Sequence, residues 1–279
     1  MPLINSSTYR PGFFDRSAQI STTWPTLLRR VGAVPLIRER LITTDDDFID
    51  LDCWWQGSSS TVVLCHGLEG NAHRQYMLGM ARAFGRRGWN VVGYNYRGCS
   101  GEPNLKPYSY HSGATDDLRQ VLNHASRPQQ PVRALVGFSL GGNLILKYLG
   151  EDPGSVLPEI CAAVAFSVPV DLAETTRILE RPGNWAYNRR FLRKLAKKMR
   201  LKAEQFPGDV DITLLSGVRT LRDFDDVFTA PLSGFYGADD YYQRCSSSQF
   251  LSGIKIPCLL VSALNDPFLG EGCFPIKTA

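Results

Sequence analysis

The sequence lacks several features that would place it in a special class at once. No run of apolar residues approaches the length of about eighteen that a membrane-spanning helix needs, so no span is expected. Residues 1–7 carry neither the positive segment nor the apolar core of a secretion signal. The 7 cysteines show no metal-binding spacing, and without a leader they favour free thiols in a reducing cytoplasm.

A strong excess of charge of either sign is also absent. The chain has 31 basic and 27 acidic residues, and its formal charge of +4 is too small to predict nucleic-acid binding. Apolar residues make up 43% of the 279 residues and charged residues 21%, as in ordinary folded enzymes. We therefore expect a single domain over residues 1–279, large enough for one core and an inserted subdomain.

The most informative feature that is present is the pentapeptide from Gly137 to Gly141, which has the form G-x-S-x-G. An apolar run at 132–136 precedes it, and apolar residues recur at helical spacing after it. A serine at such a junction lies on a sharp strand-to-helix turn, where side chains at the two glycines would collide. We expect Ser139 to act as a nucleophile, with the Leu140 N–H facing the oxyanion.

A second junction of strand and loop lies upstream. The apolar, β-branched run 61–65 ends in His66, Gly67 and Leu68. In a hydrolase sheet, the loop after such a strand supplies the other backbone donor of the oxyanion hole, so Leu68 N–H is the candidate. His66 is either a structural histidine bonded to its own loop, which we favour, or a proton-transfer group.

The order of the elements predicts an α/β fold with a mostly parallel sheet and helices on both faces. An antiparallel hairpin over 36–55 comes first, with its turn at 45–47. Further strands are predicted at 61–65, 89–94, 132–138, 161–168 and 256–262, and helices at about 72–87, at 112–125 and directly after Ser139. Right-handed crossovers would bring the carboxyl ends of these strands to one edge.

The alternation stops between residues 171 and 252, where the sequence is helical and charged. We interpret this segment as a helical lid inserted between two strands. Within it, 8 of the residues at 189–202 are Lys or Arg, beside apolar residues on one face. This basic helix is either a solvated face that answers the acidic segment 209–226, or a peripheral contact with anionic lipid.

Asp266 follows the strand predicted at 256–262, on the same edge as Ser139. In the chain order Ser, acid, His, it is the natural acid. The alternative is an ordinary Asx-Pro turn, because Pro267 follows it. Asp171 also follows a strand and is the second candidate for the acid.

A histidine to complete this order is missing. The 4 histidines all precede Asp266, and 13 residues follow it, too few for a further helix and strand. We therefore expect either a truncated enzyme without its last strand and helix, or a protein with impaired chemistry. His111, at the end of a strand-end loop, is a conceivable substitute base, whereas His73 and His124 are predicted in helices.

These residues resemble the YheT-like α/β-hydrolases, a family that includes the abhydrolase-domain lipases of eukaryotes. The resemblance runs from about residue 20 to the last residue, through the stretches 66–70 (HGLEG), 95–102 (NYRGCSGE), 110–113 (YHSG), 137–143 (GFSLGGN), 219–226 (RTLRDFDD) and 265–268 (NDPF). It implies Ser139 as nucleophile and Asp266 as acid. The histidine of the family, in a Gly-Gly-His stretch, has no counterpart here.

The resemblance implies an esterase or acylglycerol lipase of lipid metabolism, acting on a small or lipid-like acyl ester through an acyl-enzyme. Neither a metal nor an organic cofactor is expected. The alternative is a catalytically inactive binding protein, or the remnant of a hydrolase, because Ser139 without a base stays a poor nucleophile.

Overall fold

A computed structural model describes residues 4, 7–12 and 16–275. Most of the opening stretch that we judged to lack a secretion signal therefore lies outside the described residues. The strands are β1 (Ile37–Ile42), β2 (Phe48–Trp54), β3 (Thr61–Cys65), β4 (Asn90–Tyr94), β5 (Val132–Phe138), β6 (Ala162–Phe166) and β7 (Cys258–Val261). The helices are α1 (Ala18–Leu28), α2 (Gln75–Gly85), α3 (Thr115–Ala125), α4 (Leu140–Glu151), α5 (Leu172–Leu179), α6 (Trp185–Gln205), α7 (Leu221–Phe224), α8 (Ala230–Leu232) and α9 (Ala238–Cys245).

The strands form one sheet in the order β1-β2-β4-β3-β5-β6-β7. The hairpin partners β1 and β2 are antiparallel, as are β2 and β4, and the remaining neighbours are parallel. The predicted α/β fold with a mostly parallel sheet is confirmed. The predicted strands agree with the observed ones within two residues at each end.

The centre of the sheet is covered on both faces, which explains why its strands are mostly apolar. Along β3, Val62 and Leu64 pack with Met77 of α2. The alternate residue Val63 lies in the cluster on the opposite face, together with Leu118 of α3. Successive side chains of a strand point to opposite faces, so an uninterrupted apolar run is what a strand between two helix layers requires.

The β7 end of the sheet is less well covered. Leu260 packs against the buried cluster that contains Leu146 of α4. On the other face of the strand, Leu259 and Val261 are 44% and 38% exposed. β7 therefore presents an apolar face to solvent.

Two of the predicted helices begin later than expected. Residues before α2 and α3 form turns, closed by hydrogen bonds from Arg74 N–H to Asn71 O (3.2 Å) and from Ala114 N–H to His111 O (3.2 Å). The prediction that His73 lies in a helix is therefore wrong, and its Nε2 lies 3.4 Å from a carboxylate oxygen of Asp52. His124 does lie in α3.

The segment between β6 and β7 contains α5 to α9 and, over residues 171–252, all of which are described, no strand. Asn143 of α4 anchors its far end. The Asn143 amide donates to Ser112 O (3.0 Å) and Cys245 O (2.9 Å), and Ser247 N–H donates to its oxygen at 2.9 Å. Among the described helices, none has the length and apolar character to cross a membrane.

Candidate active site

Ser139 lies on the turn between β5 and α4, in a backbone conformation that L-residues seldom adopt, with φ 52° and ψ −120°. Its N–H donates to Phe166 O of the neighbouring strand at 2.8 Å. Its carbonyl accepts from the N–H groups of Gly142 (2.8 Å) and Asn143 (3.1 Å) in the first turn of α4. Such a conformation costs about 1–3 kcal/mol and persists only where the surroundings hold it.

The two glycines of the pentapeptide are required by close backbone contacts. A Cβ at Gly137 would lie 2.5 Å from Gly141 O, across the turn. A Cβ at Gly141 would lie 2.4 Å from Cys65 O, at the end of β3. The turn is therefore packed against both its own helix and the neighbouring strand, with no room for a side chain at either position.

The loop after β3 lies directly against this turn. A Cβ at Gly67 would lie 3.2 Å from the Cβ of Ser139. The amides of this loop are held in an alternating way, since Gly67 N–H donates to the Tyr76 hydroxyl (3.0 Å) and Glu69 N–H to the Tyr110 hydroxyl (2.9 Å). Tyr76 was not singled out from the sequence, and Tyr110 was named only within the stretch 110–113.

The amide of Leu68 lies between those two bonded amides. Over the described part of the chain, neither the Leu68 N–H nor the Leu140 N–H donates to another protein group. Leu140 opens α4, where the first N–H groups of a helix have no partner within the helix. The two amides predicted for the oxyanion hole are thus the ones that stay available beside Ser139.

Helix α6 holds the residue that follows Leu68. Glu69 adopts a positive φ of 52°. Its carbonyl accepts from Lys194 Nζ at 2.9 Å, and its carboxylate accepts from Lys198 Nζ at 2.7 Å and from the Tyr110 hydroxyl at 2.9 Å. The side chains of Lys198 and Glu69 are 13% and 8% exposed, so this ion pair is nearly shielded from water.

A third lysine of α6 is also turned inward. Lys202 is 1% exposed, and its Nζ donates to the carbonyls of Asn104 (2.6 Å) and Lys106 (2.5 Å). Burial lowers its pKa to about 8. The interpretation of 189–202 as a solvated helix is therefore wrong for these three lysines, which lie on the side of α6 that faces the domain.

His66 is fully buried and has both ring nitrogens occupied. Nδ1 lies 2.7 Å from Gly67 O, and Tyr96 N–H donates to Nε2 at 3.3 Å. Burial lowers its pKa to about 3, so the ring is neutral. These contacts stabilise the loop beside Ser139. They leave no ring nitrogen of His66 free to accept the proton of the Ser139 hydroxyl.

Asp266 lies on the loop after β7 and is held by two contacts. Phe268 N–H donates to its Oδ1 at 3.0 Å, and the nearby hydroxyl of Ser167 stabilises the charged carboxylate. Burial raises the pKa of Asp266, and these two contacts offset only part of that effect.

Ser167 lies between the two predicted catalytic residues and was not singled out from the sequence. It follows Phe166, the residue whose carbonyl binds Ser139 N–H, and it has a positive φ of 50°. Its own N–H donates to Val261 O at 2.8 Å. The ends of β5, β6 and β7 are therefore joined by backbone hydrogen bonds, from Ser139 to Phe166 and from Ser167 to Val261.

The second candidate for the acid has another role. Asp171 is the N-cap of α5, and its Oδ1 accepts from Glu174 N–H at 2.9 Å. A carboxylate at this position stabilises the first turn of a helix. Asp171 is thus bonded to its own helix, and Asp266 remains the carboxylate that lies near Ser167 at the end of β6.

His111 does not lie beside Ser139. Its Nδ1 accepts from Gly113 N–H at 3.2 Å and lies 3.8 Å from Cys245 Sγ. Burial lowers its pKa to about 4. With the other three rings also engaged elsewhere, no imidazole of the described residues contacts Ser139 or Asp266.

Apolar side chains of the segment between β6 and β7 pack against the two loops of the site, the one after β3 and the one after β7. Leu195 and Met199 of α6 belong to a cluster that also includes Leu68 and Phe268. Tyr187 meets Phe268 edge to face, with ring centroids 4.8 Å apart. The surroundings of Ser139 on this side are therefore apolar, which suits a hydrocarbon chain rather than a charged group.

Residues 60–271 match a protein family described as alpha/beta hydrolase fold. Among curated proteins, YheT of Escherichia coli (strain K12), which is named as a candidate esterase, is 36% identical over 93% of this chain and 78% of its own length. The phospholipase ABHD3 of Mus musculus is 31% identical over 98% of this chain and 69% of its own length.

A solved structure is similar as well. The alpha/beta hydrolase GrgF from Penicillium sp. sh18 aligns with a TM-score of 0.52 at 16% identity, over 86% of each chain. At so low an identity the similarity concerns the fold alone.

Proposed function

Because the chain belongs to the alpha/beta hydrolase fold family, as its motifs predicted, we propose that it is a serine hydrolase of carboxylic esters. The observation that carries the proposal is the strained turn at Ser139, packed against a loop whose Leu68 amide is available. A strained serine between a strand and a helix is the arrangement that acyl transfer by this fold requires.

In the proposed reaction, Ser139 Oγ attacks the acyl carbonyl and forms a tetrahedral intermediate. The N–H groups of Leu68 and Leu140 stabilise its oxyanion, and donors of this kind contribute about 2.7–4 kcal/mol each. The ester alcohol leaves with the proton that Ser139 gives up, and water then hydrolyses the acyl-enzyme to the free acid and restores the Ser139 hydroxyl. Asp266 is the carboxylate that would orient a histidine base. No metal or organic cofactor takes part.

Among the described residues, no imidazole is placed to accept the proton of Ser139 as a general base. Without an imidazole on Ser139, we expect turnover lower by a factor of about 10⁴–10⁶ than with a complete triad. This observation favours a second candidate function, an inactive binding protein that binds a ligand in the apolar surroundings of Ser139 without hydrolysing it.

We propose a lipid-like acyl ester as the substrate. The apolar cluster that includes Leu68 and Phe268 supports this choice, because Leu68 belongs to the loop beside Ser139 and Phe268 to the loop of Asp266. The names of two relatives support it further. The mouse relative is named as a phospholipase, and a relative from Saccharomyces cerevisiae is named as a monoacylglycerol lipase. The alcohol and the chain length stay open.

A fluorophosphonate probe that reacts with activated serines tests the proposal. We expect slow covalent labelling of the wild-type chain, none of Ser139→Ala, and unchanged labelling of the control Ser248→Ala, whose serine is exposed. A well-folded wild type that stays unlabelled, and that binds fatty-acyl analogues without hydrolysing their esters, would favour the inactive binding protein.

A further inference from the structure

Helix α1 is turned the opposite way from an ordinary surface helix. The side chains that it packs against the domain are small or polar, among them Ser21 and Thr22, and none of its residues is fully buried. Its large apolar residues face solvent: Ile20 (40% exposed), Trp24 (54%), Leu27 (67%) and Leu28 (54%). These four recur at i, i+4, i+7 and i+8, so they form one stripe along the helix.

The helix is fixed to the domain at the rim of the candidate site. At one end, Gln19 donates to Gly183 O at 3.4 Å, and Gly183 lies just before α6, whose Tyr187 meets Phe268 beside Asp266. Beyond the other end, Val31 N–H donates to the Gln75 side chain at 2.6 Å, at the start of α2. The apolar stripe is therefore held beside the site from both ends.

Positive charge surrounds this stripe. The sequence of α1 contains no charged residue, and the exposed Arg16, Arg29 and Arg30 flank it. At the start of α6, next to Gly183, Trp185 is 60% exposed, with the Arg189 guanidinium 5.1 Å from its ring centroid. The outer side of α6 then presents a basic row consisting of Arg189, Arg190, Arg193, Lys197 and Arg200.

We propose that this α1–α6 surface, formed by the apolar stripe of α1, Trp185 and the basic row of α6, docks the protein on an anionic phospholipid bilayer. The stripe enters the boundary between headgroups and acyl chains, and the arginines bind lipid phosphates. The charge argues for lipid over a second copy of the chain, because a two-fold contact would press the same arginines together. The inference extends the proposed function by placing Ser139 near the ester groups of a lipid surface.

Flotation with vesicles tests the docking. Ether-linked phosphatidylcholine vesicles, with or without ether-linked phosphatidylserine, contain no ester, so that binding is measured apart from hydrolysis. We expect binding that requires phosphatidylserine and weakens with salt. The double variant Arg189→Gln, Arg193→Gln should bind about 25-fold more weakly, at about fivefold for each charge.

The apolar stripe is tested with Leu27→Ser and Leu28→Ser, each expected to weaken binding at least about tenfold. Leu105→Ser is the matched apolar control, since Leu105 is 56% exposed and lies on the loop between β4 and α3, outside the stripe. Arg86→Gln with Arg87→Gln is the basic control, on exposed residues that follow α2. Thermal melting should be the same for all these variants, because every substituted side chain is exposed.

Two outcomes would overturn the proposal: no binding to the phosphatidylserine vesicles, or losses in the α1 and α6 variants no larger than in their controls. A dimer in sedimentation velocity that Leu28→Ser dissociates would also overturn it, in favour of a second copy. Because Ser139→Ala should bind vesicles as well as wild type, failure of docking and failure of the proposed chemistry are read separately.

Discussion

Ser139 and Asp266 follow strands of the same sheet, but the two strands are supported very differently. β5 lies between β3 and β6, with helix layers on both faces, and the turn after it is packed so closely that two glycines admit no Cβ. β7 lies at the end of the sheet with Leu259 and Val261 exposed, and its loop is held by single hydrogen bonds. Backbone packing thus fixes the nucleophile, whereas a few side-chain contacts fix the acid.

The largest expected effect tests the packing on the Ser139 side. Gly141→Ala places a Cβ 2.4 Å from Cys65 O, and overpacking against backbone that cannot move should cost more than about 3 kcal/mol. We expect little folded protein, measured by urea denaturation. Gly208→Ala is the control, because a Cβ there meets nothing within 4 Å. Equal stability of the two variants would contradict the contrast drawn above.

Lys198→Met tests how far the Ser139 side depends on α6. Removing one partner of a nearly buried ion pair leaves Glu69 without its cation and should destabilise the protein by about 3 kcal/mol. Labelling of Ser139 should also slow, because Glu69 adjoins Leu68. Lys197→Met, at the exposed neighbour on the same helix, should stay within about 0.5 kcal/mol of wild type. An identical loss in both variants would mean that the pair has no special role.

Asp266→Asn tests the acid side and should act in the opposite direction. Burial raises the pKa of Asp266, so the folded state prefers its protonated form. That preference stabilises the fold below the ordinary pKa of aspartate and is lost as the pH rises through the raised pKa. The variant should therefore melt at a slightly higher temperature than wild type at neutral pH, and the difference should vanish in mild acid.

The control for this measurement is Asp209→Asn, at an exposed carboxylate. Its melting temperature should follow that of wild type at both pH values. A destabilised Asp266→Asn at neutral pH would show that the Ser167 and Phe268 contacts outweigh the cost of burying the charge.

The smallest effect is expected at the exposed face of β7. Leu259→Lys should change the free energy of unfolding by no more than about 0.5 kcal/mol, while reducing self-association at high concentration. Leu260→Lys, one residue along the same strand, faces the cluster of Leu146 and should cost about 2 kcal/mol or more. Urea denaturation and light scattering measure the two quantities, and equal losses would show that both faces of β7 are covered.

The sequence predicted best what short stretches determine by themselves. From Val62 to Cys65 the run is apolar at every position because both faces of β3 are covered, and the observed bounds of β3 are the predicted ones. The turn at Ser139 could be located because G-x-S-x-G combines a strand end, a helix start and two steric requirements. The helix starts at Gln75 and Thr115 were missed, because the spacing of apolar residues does not distinguish a single hydrogen-bonded turn from the first turn of a helix.

The parts of the site that escaped prediction depend on contacts between distant segments. Lys194 and Lys198 share their basic composition with Arg189 and Arg193, and only the folded chain shows that the lysines meet Glu69, more than a hundred residues earlier. Ser167 is an ordinary residue in sequence, and it matters because β6 lies between β5 and β7. Periodicity marks the side of a helix that is apolar, but it does not tell which cations find a partner there.

The bonds between α6 and Glu69 have a mechanical consequence. If α6 swings outward to admit a bulky molecule, it must first break the bonds from Lys194 and Lys198, and both end on the residue next to Leu68. Opening the cover and loosening the backbone that faces the serine are then one movement. The backbone at Leu68 and Glu69 then regains its original conformation only after α6 has closed again over the bound molecule.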